Sequence, residues 1–124
     1  MSIPVATDAI ATELERYGDV AFLVTVGEDG RPHTVSVRVE LQSGALRAAA
    51  GRSTAANAER TGTATVLWPP VTAEPRYSLI VDGTATVEQA DDAATVVVVP
   101  TRAVQHRQAD ADPSAPSCVV VGED

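Results

Sequence analysis

The chain has 124 residues, is 44% hydrophobic but only 3% aromatic, and carries a formal net charge of −8. That length suits one domain with a core of its own, here built from Val, Ala, Leu and Ile rather than from rings. The acidic balance argues against nucleic acid and against an anionic membrane as partners, because both call for a basic face.

Residue usage narrows the chemistry further. Every basic residue is Arg and there is no Lys, which excludes a Lys nucleophile or Schiff base. Cys118 is the only cysteine, so an intramolecular disulfide and a multi-Cys zinc site are excluded. His33 and His106 are the only histidines and lie far apart; no metal site is expected. The N-terminus shows neither a basic nor an apolar leader pattern, and no apolar run approaches ~20 residues. The expectation is a soluble, cytoplasmic protein.

In chain order, Thr7 or Asp8 can cap a helix over 8–17, in which Ile10, Leu14 and Tyr17 form one apolar stripe and Gly18 ends the run. It is expected to pack or cover rather than to catalyse. Residues 19–27 alternate with both faces mostly apolar, which predicts a central strand. Glu28-Asp29-Gly30-Arg31 is a hairpin turn, and 33–41 alternates Val35, Val37, Val39 and Leu41 against Thr34, Ser36, Arg38 and Glu40. The polar side of that strand faces either solvent or a ligand groove. His33, just after the turn, is expected to be exposed.

After the turn at 42–44, residues 46–68 run strand (45–50), Gly51-Arg52-Ser53-Thr54, a short helix (53–60) and a second strand (63–68). A helix start offers unpaired N–H groups and a positive dipole end, Ser53 and Thr54 add hydroxyls, and Arg52 adds a planar fork of donors suited to phosphate. On local chemistry alone the competing reading is a helix capped by Ser53 or Thr54 beside a solvated Arg52. Trp68 reads as a core or interface anchor, or as a ring that stacks on a ligand; Tyr77 has the same two readings. A long strand follows over 76–88, and its interior Gly83 points to a bulge or sharp coil. Residues 94–99 are a strongly apolar strand, interrupted by Pro100 and continuing as an edge over 101–107, where Arg102, His106 and Arg107 could bind an anion. Arg38 could reach a phosphate in the groove or pair with Glu40 or Glu13. Residues 108–116 are rich in Asp, Pro, Ser and Ala and read as a flexible tail, with 118–121 docked as a short strand or loose. The domain boundary is therefore set at 1–107, with a tail over 108–124.

About six strands joined by hairpin-type turns, with one helix inserted and one at the start, predict a mainly β protein: a six-stranded antiparallel barrel with short helices. There is no GxGxxG and no βαβ alternation, which argues against a dinucleotide-binding domain.

Three stretches, AFLVTVGEDGRPHTVSV, LRAAAGRSTAANAERTGTATVLW and YSLIVDGTATV, taken in this order and spacing, resemble the pyridoxamine 5′-phosphate oxidase-like superfamily of FMN-binding split β-barrels. The resemblance implies a homodimer with FMN, or the related deazaflavin coenzyme, in a groove between protomers. It implies a phosphate end at Arg52, Ser53, Thr54 and Asn57, with Thr54 standing where the family commonly has Lys. It also implies a ring wall from Thr34, Val35, Ser36 and Val37 and from Ala49 and Ala50; the competing reading of the Ala48-Ala49-Ala50 run is plain sheet packing. No catalytic side chain is singled out, as befits chemistry carried by a cofactor. The function so implied is a flavin-dependent oxidoreductase of a small-molecule substrate. A deazaflavin-dependent reductase and a non-catalytic flavin-binding or carrier protein are the alternatives.

Overall fold

Residues 7–71, 77–107 and 118–121 are those described by this computed structural model. The elements are α1 (Thr7–Tyr17), β1 (Val20–Val26), β2 (Pro32–Gln42), β3 (Ala45–Ala50), α2 (Arg52–Thr61), β4 (Thr63–Trp68), β5 (Tyr77–Ala90), β6 (Ala93–Arg107) and β7 (Cys118–Val120). The sheet order is β3-β2-β1-β4-β5-β6-β7, every pairing is antiparallel, and β3 pairs with β6 as well. That last pairing closes β1 to β6 into the expected six-stranded barrel and leaves β7 as an addition on β6.

Alternation decides what faces inward. Ala21 and Leu23 of β1, Val37 and Val39 of β2, Leu46 and Ala48 of β3, and Ala64, Val66 and Trp68 of β4 are buried, as are Leu79 and Val81 of β5 and Val96 and Val98 of β6. The core is thus small and β-branched, as the composition demands. The other row of β1 is uncovered in the single chain: Val20 is 54% exposed, Phe22 39% and Val26 41%. The strand is central, between β2 and β4, but only one of its two apolar faces belongs to the core.

As expected, the strand continues past Pro100, but β6 is one strand from Ala93 to Arg107 and Pro100 is not a break in it. Pro100 pairs with Gly83 and Arg102 with Asp82, so Thr101 is an extra residue opposite the 82–83 step. One extra residue shifts the alternation by one. Val96 and Val98 point inward before the bulge, Ala103 after it. The bulge also lets β6 change neighbours, from β3 along 94–98 to β7 along 104–106. The bulge expected at Gly83 is present. The expected anion cluster is not assembled, because Arg107 is buried on the opposite face of β6 from Arg102 and His106, and Arg102 faces Asp82 at 4.0 Å.

Helix α1 is a packing element. Ile10 and Tyr17 are buried and Leu14 packs against the core. The Tyr17 hydroxyl donates to the Tyr77 carbonyl (2.7 Å), and the Trp68 indole donates to the Gly18 carbonyl (3.1 Å). Trp68 is therefore a fully buried core anchor rather than a stacking platform. No described helix is long and apolar enough to cross a membrane. The expected flexible stretch 108–116 lies outside the described residues; beyond it, β7 docks on β6, and the Val121 N–H donates to the Ala103 carbonyl (3.0 Å).

Candidate functional site at the split between β2 and β3

The barrel opens where β2 and β3 part. Their register ends at Val39↔Ala48. Beyond it β2 stays on β1, while β3 runs out through Ala49 and Ala50 into Gly51 and α2. The Val39 N–H donates to the Asp19 carbonyl across to β1 (2.6 Å). Backbone groups alternate sides along an antiparallel strand. Those of Thr34 and Ser36 therefore turn away from β1 and face the split.

A cavity of about 370 Å³ occupies this opening, lined by His33, Val35, Ser36, Val37, Ala49, Ala50, Gly51, Arg52, Ser53 and Thr54. Its size is within the range of small-molecule sites. The structure thus brings together Val35, Ser36, Val37, Ala49, Ala50, Arg52, Ser53 and Thr54 from the expected set. Thr34 is exposed and outside the lining. Asn57 is buried and turned elsewhere: its Nδ2 donates to Thr25 Oγ1 (3.3 Å) and its Oδ1 accepts from Arg60 Nη1 (3.2 Å). Arg60 also donates to the Val26 carbonyl. Asn57 and Arg60 therefore fasten α2 to β1.

The helix start differs from the sequence reading in a way that matters. The N-cap is Gly51, with no side-chain cap, rather than Ser53 or Thr54. The first bond of the helix is Ala55 N–H to Gly51 carbonyl (3.0 Å). The N–H groups of Arg52, Ser53 and Thr54 have no acceptor within the helix. Arg52 and Ser53 are exposed, whereas Thr54 is 2% exposed.

His33 was missed. It belongs to the inner row with Val35, Val37 and Val39, is half-buried, and lines the cavity. The signal was its parity with those valines, which the turn before it obscured.

Charge separates this cavity from its neighbours. His33 and Arg52 are its ionisable lining residues, and no carboxylate is among them. The cavity on the other side of Arg52, between α2 and the β5–β6 turn, carries Glu59, Asp91 and Asp92. The one beyond Ala49 carries Glu40 with Arg38 and Arg47. There Arg38 pairs with Asp19 (2.7 Å), not with Glu40 or Glu13, and Arg47 donates to Glu88. The Arg52 side chain makes no ion pair or hydrogen bond among the described residues.

The Arg47 hydrogen bond, then its charge, holds the Glu88 carboxyl below the ordinary value of 4.5. Because the folded value is the lower one, the pair stabilises the fold above pH 4.5, and that contribution is lost as pH falls through the lowered folded value. A carboxyl-carbon NMR titration should place the Glu88 midpoint below 4.5, and Arg47→Gln should return it there.

Comparison with known proteins places this architecture. No protein-family model matches the chain. Uncharacterized protein Mb0449c of Mycobacterium bovis and uncharacterized protein MT0457 of Mycobacterium tuberculosis are each 41% identical over 111 residues, covering 78% of this chain and 75% of each relative. Among solved structures, a protein of Clostridium acetobutylicum related to general stress protein 26, of the pyridoxinephosphate oxidase family, superposes with a TM-score of 0.63 at 11% identity, covering 84% of this chain and 92% of that one. The chain belongs to one family with the two mycobacterial proteins, and its fold is the split barrel of the pyridoxamine 5′-phosphate oxidase-like structures. Two further split barrels bracket its range. General stress protein 26 of Bacillus anthracis superposes with a TM-score of 0.64 at 15% identity, covering 80% of this chain and 92% of that one. An F420 reductase superposes with a TM-score of 0.61 at 17% identity, covering 73% and 93%.

Proposed function

We propose that this split barrel binds FMN in the opening between β2 and β3 and acts, as a cytoplasmic homodimer, as a flavin-dependent oxidoreductase of a small-molecule substrate. One observation carries the reading. In a chain of net charge −8, the cavity beside the α2 N-terminus is lined by Arg52 and His33 and by no carboxylate. An anion is the ligand that such a lining favours.

The residues present fit a phosphorylated flavin. Arg52, the three N–H groups at the start of α2 and the Ser53 hydroxyl would hold the phosphate. Ala49 and Ala50 would let a flat ring approach the backbone. The split-facing backbone groups of Thr34 and Ser36 would meet a heterocycle's polar edge. When bound, the flavin supplies hydride or electron transfer; the chain supplies position and electrostatics. The exposed row Val20, Phe22 and Val26 supports a homodimer, since contiguous apolar surface on a strand face marks an interaction site. The fold shared with an F420 reductase favours the deazaflavin coenzyme as the second reading. A flavin carrier without turnover is the third.

Parallel titration with FMN, riboflavin and the deazaflavin coenzyme tests all three. FMN should bind more tightly than riboflavin. Arg52→Ala should weaken FMN by about tenfold or more, in line with ~1.5–3 kcal/mol for a charged hydrogen bond, and leave riboflavin unchanged. Tighter binding of the deazaflavin selects the second reading, and binding without turnover by any reductant selects the third. Failure to bind any of them overturns the proposal.

A further inference from the structure

We propose that His33 is a second anion-binding side chain of the split cavity, one that engages only when protonated; this rests on the reading of that cavity as a phosphate site. A phosphate monoester carries about −1.5 to −2 charges at pH 7. Arg52 supplies one positive charge and the helix start about half of another. His33 lines the same cavity and, as an imidazole, gains its charge between about pH 5 and 8.

The surroundings leave this charge free to act on a ligand. Across the ladder, His33 pairs with Thr25, whose hydroxyl accepts from Asn57. From β3 the cavity receives Ala49 and Ala50, and from α2 it receives Gly51, Arg52, Ser53 and Thr54. On its own hairpin the charged residues are Glu28, Asp29 and Arg31, of which Arg31 and Asp29 face each other at 3.9 Å. On α2, Arg60 is held by Asn57 and Val26. Within the cavity, therefore, Arg52 is the other ionisable lining residue and no carboxylate is among them. A bound phosphate draws the proton onto His33. Binding of a phosphorylated ligand is then coupled to uptake of one proton.

The test measures FMN and riboflavin affinity of the full chain from pH 8.5 to 7.0, where the phosphate, with a second pKa of about 6, stays largely doubly charged. Wild-type affinity for FMN should rise about fivefold or more as pH falls across that window, and riboflavin affinity should stay flat. His33→Gln should bind FMN with no pH slope, at the wild-type level of pH 8.5. His33→Arg, which fixes the charge, should restore tight binding without a slope. An unchanged slope in His33→Gln, a flat wild-type profile, or an equal slope for riboflavin overturns the role of His33 and leaves the FMN reading standing. Absence of FMN binding at every pH overturns both.

Discussion

Gly83→Val should leave almost no folded protein. A Cβ at Gly83 would lie 2.4 Å from the Val99 carbonyl oxygen and 2.7 Å from Val98 Cγ1. The first of these is backbone, and it belongs to the strand segment that the Thr101 bulge presses over β5. It cannot withdraw without breaking the pairing of Pro100 with Gly83. Even Gly83→Ala is expected to cost about 3 kcal/mol or more, at the upper end for overpacking, read as a lowered urea midpoint. Gly51→Ala is the control. Gly51 has φ −74° and an added Cβ there meets nothing within 4 Å, so its midpoint should move by no more than about 1 kcal/mol equivalent. A wild-type midpoint for Gly83→Ala would show that the close approach is not tight.

Trp68→Ala is expected to be nearly as damaging, by about 3–5 kcal/mol. The indole is fully buried among core residues, and its N–H donates to the Gly18 carbonyl just past the end of α1. Truncation opens a large cavity and leaves that carbonyl without its donor. Trp68→Phe keeps most of the volume and loses the hydrogen bond, so about 1–3 kcal/mol is expected. Far-UV circular dichroism against urea measures both. The same Trp68→Phe protein should retain FMN affinity within about twofold, since a core anchor does not touch the ligand. A tenfold loss of FMN affinity in a folded Trp68→Phe protein would restore the stacking role.

Most of the fold was legible because punctuation and period agree. Gly44 and Gly51 bracket β3, and Gly62 and Pro69 bracket β4, so both strands end where the sequence predicts. Barrel closure was not legible from local pattern alone, since nothing within β3 names β6 as its partner. Pro100 reads as an interruption between two strand segments, whereas here it sits at a bulge opposite a glycine within one strand. At the candidate site, donor chemistry singles out Arg52, Ser53 and Thr54, whereas Val35, Ser36, Val37, Ala49 and Ala50 come only from the family resemblance; all eight line one cavity. Asn57 was included from a motif position, but a motif does not say which face of a helix is occupied by the sheet. Its amide is committed to Thr25 and Arg60. His33 was overlooked because turn-proximal residues are usually exposed, although its parity with Val35 and Val37 places it inward.

The seam between β3 and β6 also bears on how fast the chain can fold. The β1–β2, β2–β3 and β5–β6 ladders join neighbours along the chain and can zip locally. The seam instead brings Leu46 to Val98, across α2, β4 and β5. Closing so long a loop loses chain entropy before any contact compensates for it. Barrels of such topology fall in the millisecond-to-second regime, and here the three hairpins would form first and the seam last. Until it closes, the β3 edge beside the split is an unpaired strand, so the segment that would later receive a ligand is also the one most exposed to pairing with another chain during refolding.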